Sequence, residues 1–399
     1  MNLLLTFLIF ILADVYCQES TQNEVAKGGH TPMVNQCWGT FDKIWVDVFL
    51  LIDTSTSMTK NGFTELMGEL ASSLSYLTIG QGAKETRIGL ITYGKDATLI
   101  HGLEHWKSTD DVMELLEEEN VNKLFRQTQG ANIAAAITKA ISQFKTTSHR
   151  QNVKPVLVIV GTAYTPSSGE DPAVTLANAF KLSGGTIITY NYRQPGSPAV
   201  DYLQKLASDG FSISNSLAPI SDTIIPKLME KANCFCPDPY VPYVLSGVFS
   251  PEYGCYRAPT TTATQKVAEK VCNLKHKGKL AKVENYGKAG FLMKQLTSLT
   301  GWIGLKRENS KWKWSDGSQL TDKDFMMWKN GNFISSDYSC VTMFENRTDH
   351  KYYWQAESCT RRHSYVCQIK PCGASNYCSE VFNVQRQNSL REKLGITKL

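Results

Sequence analysis

The stretch DVFLLIDTSTSM, residues 47–58, constrains this chain more than any other. Its first half is a near-continuous apolar run with β-branched members. That is the pattern of a strand buried on both faces, as in parallel sheets covered by helices. The run passes directly into Asp53-Thr54-Ser55-Thr56-Ser57, a carboxylate and two serine hydroxyls at alternate positions. In an open α/β sheet, ligands bind outside the carboxyl ends of the strands, and oxygen side chains there suit a hard cation such as magnesium. A plainer role is equally open: Asp and Ser end strands and cap the helices that follow.

The next 180 residues keep the same alternation. Phe63, Met67, Leu70, Leu74 and Leu77 recur at helical spacing and stop at Gly80. Residues 87–93 read as a strand, 110–124 and 133–144 as helices, and 156–160 as a buried strand after Pro155. A helix over 176–182 stops at Gly184-Gly185, a strand follows at 186–190, and 200–207 and 220–232 complete the helices. Across 37–234 this predicts an α/β doubly wound, mostly parallel sheet. No G-x-G-x-x-G follows a strand, which disfavours a dinucleotide-binding sheet. The succession of DTSTS, RIGLITY, GANIAAAI, VLVIV and YLQKLASDG resembles von Willebrand factor A (vWA) domains. The resemblance implies a metal site in which Asp53, Ser55 and Ser57 are joined by a Thr and an Asp from two later loops. Here the Thr position is Ala131 and the Asp position is Thr162. Magnesium demands near-ideal octahedral geometry and gives up water reluctantly. The set Asp53, Ser55, Ser57 and Thr162 is therefore expected to be a vestigial site without a cofactor. Glu170 and Asp171, further along the same loop, are candidate substitutes.

At Cys234-Phe-Cys236-Pro-Asp-Pro-Tyr-Val-Pro the pattern breaks into a stiff connector. Beyond it, Val267, Ala268 and Val271 lie on one helical face ending near Cys272. Ala289, Leu292, Leu296 and Leu299 follow a second helical repeat, and a Trp-rich hairpin spans 301–317. C-N-L with GKLA, GWIGL, WKWSDGS, Phe325 with Trp328, CVTM, Trp354 before Cys359, and YVC together resemble a C-type lectin-like domain, an α+β fold, over 255–370, and the domain is expected to span 236–370. The resemblance implies Cys272–Cys367 and Cys340–Cys359. It also suggests Cys236–Cys255, Cys37–Cys234 and a local Cys372–Cys378, with the partners of Cys234 and Cys236 left open because spacing cannot assign them. Sugar-binding members hold calcium with Glu-Pro-Asn or Gln-Pro-Asp in a long loop and Asn-Asp after the Trp. Here the loop 329–339 contains no proline, and Gln355-Ala356 follows Trp354. Calcium takes six to eight oxygens, so it is not expected either. Phe325, Trp328, Phe333, Asp337 and Tyr338 are the candidate ligand-binding residues of this loop region, with core packing as the alternative for its apolar members.

An apolar run over 3–13, too short to cross a bilayer, followed by small residues up to Cys17 reads as a signal peptide, 1–17, although it lacks an early Lys or Arg. Its removal leaves ten cysteines, an even number that suits a disulfide framework in an oxidising compartment. Asn346-Arg347-Thr348 is an N-glycosylation acceptor. The segment 371–399 reads as a tail with one local disulfide. With a net charge of +5 and no long basic block, nothing points to nucleic acid. Neither G-x-S-x-G, H-E-x-x-H nor a Walker loop is present, so no enzyme is expected. The expectation is a secreted, extracellular recognition or adhesion protein with protein or glycan ligands, in the manner of lectin-like proteins linked by resemblance to host defence. A calcium-dependent lectin with displaced metal ligands is the alternative.

Overall fold

The computed structural model describes residues 33, 35–146, 149–162, 164–166, 168–195, 197, 201–216, 221–244, 251–329 and 338–379. The expected signal peptide, Phe333, Asp337 and 380–399 lie outside these. The described chain forms two compact units: one holds 35–252 together with the stretch from Pro371, the other 253–370.

In the first unit, β1 (Asp47–Asp53), β2 (Arg87–Tyr93), β3 (Ala97–His101), β4 (Pro155–Gly161), β5 (Thr186–Asn191) and β6 (Ser212–Ser214) form one sheet in the order β3-β2-β1-β4-β5-β6. All its pairings are parallel except the antiparallel β2–β3 hairpin. The apolar run of β1 is thus explained by position: the strand is central and covered on both faces. Val48, Leu50 and Ile52 pack against Phe63, Leu66, Met67 and Leu70 of α1 (Lys60–Leu74). The alternate residues Phe49 and Leu51 meet a second cluster that includes Ile133, Ala136 and Ile137. Residues 118–124 form α2, Ile133–Phe144 form α3, Pro172–Leu182 form α4 and Ile224–Asn233 form α5.

Three expectations for this unit need correction. The helix expected over 110–124 divides into a 3-10 turn, Asp110–Leu116, and the short α2. Among the described residues 201–207, only a 3-10 turn, Leu203–Leu206, is formed. The stretch from Pro371 is no free tail. Phe235 and Cys372 exchange backbone hydrogen bonds, and Trp45 donates its indole N–H to the Gly373 carbonyl at 3.0 Å. Trp45 also packs edge-on against Phe235 and Tyr377. Asn152 donates to the Cys378 carbonyl at 3.0 Å.

The second unit carries β7 (Cys255–Arg257), α6 (Gln265–Asn273), β8 (Lys279–Leu280), α7 (Tyr286–Gln295), β9 (Thr300–Glu308), β10 (Lys311–Trp314), β11 (Cys340–Glu345), β12 (Tyr352–Glu357), β13 (Ser364–Tyr365) and β14 (Cys367–Ile369). Its main sheet runs β10-β9-β11-β12 with antiparallel pairings, and β13 joins β9 in parallel. A smaller group pairs β14 with both β7 and β8. Buried Trp302, Trp314 and Trp354 fill the space beneath the main sheet. The helical face expected to unite Val267, Ala268 and Val271 is split: Ala268 points inward with Gln265 and Cys272, while both valines are exposed.

Cystines join Cys37 to Cys234, Cys272 to Cys367, Cys340 to Cys359 and Cys372 to Cys378. Cys236 and Cys255 are disulfide-bonded as well. Among the described residues no helix is long and apolar enough to cross a membrane.

Candidate functional site

The carboxyl end of β1 brings the expected residues together, in an arrangement the sequence did not reveal. Asp53 and Thr162 are both buried, with 1% and 2% of their surface exposed. Asp53 Oδ1 accepts the Ser55 backbone N–H at 2.8 Å. Its Oδ2 accepts both the Thr162 N–H at 3.2 Å and the Thr162 hydroxyl at 2.8 Å. Thr162, standing where the resemblance places a second carboxylate, is thus a donor to the first. An ionised carboxylate accepts only, so an Asp at 162 would repel Asp53 unless a cation lay between them, whereas a Thr satisfies it without one.

Most of the remaining side-chain oxygens also have partners within the chain. Ser55 Oγ accepts the Ser57 N–H at 3.3 Å, leaving the Ser57 side chain at the surface. Thr54 donates its hydroxyl to the Tyr93 carbonyl at 3.1 Å. Asp171 caps α4, accepting from Ala173 and Val174, and Glu170 accepts from the Thr175 hydroxyl.

Two neighbours went unrecognised in the sequence. Tyr93 donates its phenol to the Val160 carbonyl at 2.7 Å, and burial, aided by the nearby Asp53 charge, pushes its pKa far up. Thr128 closes over the strand end: its carbonyl accepts the Thr56 N–H at 3.0 Å and its hydroxyl the Lys95 N–H at 3.0 Å. Gly94 is required beneath it, since a Cβ there would lie 1.9 Å from the Thr128 hydroxyl. A buried tyrosine and a loop threonine carry no motif, only the packing of distant segments.

In the second unit the loop candidates separate. Phe325 and Trp328, each 6% exposed, belong to the core. Trp328 packs against Trp312 and Trp354, and Phe325 packs against Trp354. Each ring is covered by its neighbours, so neither offers an open contact surface. Tyr338 does reach the surface, 40% exposed. Gln355, exposed on β12, offers only a neutral amide. Glu357 accepts the Ser358 N–H at 2.9 Å and lies 3.4 Å from Arg361. Among the described residues no group of three His, Cys, Asp or Glu side chains converges to hold a metal ion. Asn346 opens the exposed turn between β11 and β12, where its side-chain oxygen accepts the Thr348 N–H.

A helix-flanked parallel sheet with an acid-hydroxyl turn at its centre, followed by a cystine-tied, Trp-cored antiparallel sheet, defines a two-domain protein of the lectin or adhesion type. Residues 47–218 match the von Willebrand factor type A domain and residues 261–369 the lectin C-type domain, so the chain carries a vWA domain followed by a C-type lectin domain. It is 23% identical over 377 residues to C-type lectin domain-containing protein 160 of Caenorhabditis elegans, covering 87% of this chain and 56% of that relative. The chain therefore spans little more than half the length of that protein. C-type lectin 1 of Hydrophis hardwickii is 27% identical over 155 residues, 36% of this chain and 86% of its own. Among solved structures, proximal thread matrix protein 1 from the mussel byssus covers 49% of each chain at 12% identity and a TM-score of 0.39. The C-type lectin domain of murine dendritic cell inhibitory receptor 2, solved with an N-glycan, covers 34% of this chain and 99% of its own at 23% identity and a TM-score of 0.29.

Proposed function

We propose that this is a secreted, non-catalytic recognition protein whose two domains hold protein or glycan ligands, not nucleic acid, without magnesium or calcium. The carrying observation is Asp53, whose carboxylate is closed by donors of its own chain, the Thr162 hydroxyl among them. A cation would have to displace these bonds and would gain only one charged ligand, too few for a firm site. The lectin domain supports the same reading. Gln355-Ala356 supplies no anion, and Glu357 already pairs with Arg361. Full pairing of the ten described cysteines and a glycosylation acceptor on an exposed turn fit an extracellular setting. A place in host defence follows from the resemblance to secreted lectin-like proteins.

The test is a glycan array probed with the exported chain, with and without chelator. Binding that persists under chelation is expected. Binding that chelator removes and calcium restores would overturn the proposal in favour of a calcium-dependent lectin with displaced ligands.

A further inference from the structure

The outward face of α6 is built for contact with something both apolar and anionic. Val267 is 49% exposed, Val271 37% and Leu274 80%. At 3.6 residues per turn these three lie within a sector of about 60°, forming one apolar ridge along the helix. The opposite face is fixed: Gln265, Ala268 and Cys272 are buried, and the cystine from Cys272 to Cys367 ties the helix to β14. The ridge is therefore a rigid feature of the folded domain, not a frayed end.

Charge surrounds it with one sign. Lys266, Lys270, Lys275, Lys277 and Lys279 are all exposed, and none has an ion-pair partner among the described residues. The single carboxylate of the helix, Glu269, is drawn away from the ridge, accepting from Gln265 and Ser315 and lying 3.5 Å from Lys306. The asymmetry extends to the whole domain. Between Tyr253 and Lys370 there are twenty Lys and Arg against ten Asp and Glu, a net of +10, whereas the rest of the chain carries −5.

We infer that this ridge docks the lectin domain onto an anionic lipid surface, with Val267, Val271 and Leu274 entering the acyl boundary and the lysines meeting the headgroups. Helices that lie in the interface combine an apolar stripe with flanking Lys, whose methylene stems cover apolar surface while the ammonium stays wet. An acidic saccharide would be met by the lysines alone and would leave the 80%-exposed Leu274 without a role. The inference is independent of the metal question at Asp53.

The experiment is flotation of the full exported chain with vesicles of phosphatidylcholine alone or mixed with phosphatidylglycerol. Binding to the mixed vesicles only, weakened by high salt, is expected. The double variant Lys266→Gln/Lys270→Gln should lower the partition coefficient about 25-fold, near fivefold for each lysine removed from an anionic surface. Leu274→Gln should also lower it while leaving heparin binding unchanged. All three side chains are exposed, so unchanged thermal melts are expected to accompany these losses. Failure of the native chain to float with anionic vesicles overturns the inference, as does floating that neither variant weakens. Lysine-dependent binding to heparin without any vesicle binding would assign the face to an anionic polysaccharide instead.

Discussion

Thr162→Val tests the inner logic of the vWA domain. Valine nearly matches threonine in shape, so the substitution removes the hydroxyl without opening a cavity. What is lost is a hydrogen bond of 2.8 Å to a carboxylate, between residues that are 2% and 1% exposed. Hydrogen bonds to charged groups contribute about 1.5–3 kcal/mol. The Ser55 and Thr162 backbone donors remain, so the carboxylate is weakened in support, not abandoned. Destabilisation of about 1.5–3 kcal/mol is expected, which lowers the melting temperature of a domain this size by about 3–12 °C. Urea denaturation of the full chain, resolved into its two transitions, measures it. Magnesium provides the second arm. A ligand bound only to the folded state at a hundredfold excess over its Kd adds about 2.7 kcal/mol, and the native chain should show no such gain at millimolar magnesium. The converse variant, Ala131→Thr with Thr162→Asp, should be unstable alone and recover with magnesium, because two carboxylates then repel each other unless a cation lies between them. The reasoning fails if Thr162→Val costs less than about 0.5 kcal/mol, the scatter of neutral surface changes. It fails equally if magnesium stabilises the native chain in a way that Asp53→Ala abolishes.

Other outcomes follow from the same structure. Arg150 donates through Nε and Nη2 to the buried Asp47 at 2.9 and 2.6 Å, while the backbone N–H of residue 150 and the His149 ring hold the other oxygen, so Arg150→Ala should cost about 3 kcal/mol, the low end for breaking a buried ion pair, seen in the same urea titration. Deleting residues 371–399 should uncover Trp45 and cost on the order of 3–5 kcal/mol, comparable with truncating a buried aromatic; a shifted Trp emission in the undenatured protein checks it. Burial, with a lesser push from His105, lowers the His101 pKa from 6.5 to about 4. Between those values the unfolded chain binds more protons, so stability should be full above pH 6.5 and fall as pH drops towards 4, and His101→Gln should flatten that slope in melts across the range. For the lectin domain, chelation should leave the melting temperature unchanged, whereas losing Cys340–Cys359 should cost about 2–5 kcal/mol, read by melting Cys340→Ser/Cys359→Ser.

Much of this was legible in the sequence because it is encoded locally. A run such as that of β1 declares a strand buried on both faces, and Phe63, Met67 and Leu70 declare the helix face that covers it. The departures from the resemblance at Ala131 and Thr162 were equally plain, since both occupy fixed places in a recognisable order. Tertiary structure alone decided what the Thr162 side chain meets. Asp53 and Thr162 are 109 residues apart, and no periodicity reports that a distant hydroxyl turns onto a carboxylate instead of facing a cation. The same holds where Pro371 onwards packs against Trp45, a contact spanning more than 300 positions. It holds as well for Phe325 and Trp328, whose apolar character suits a binding surface and a core alike until Trp312 and Trp354 are placed beside them. On α6 the helical period was readable, but which side faces inward was settled by the Cys272–Cys367 cystine and the buried Ala268, leaving the valines to solvent. Local pattern fixes what an element is; only the arrangement of distant elements fixes what each of its faces meets.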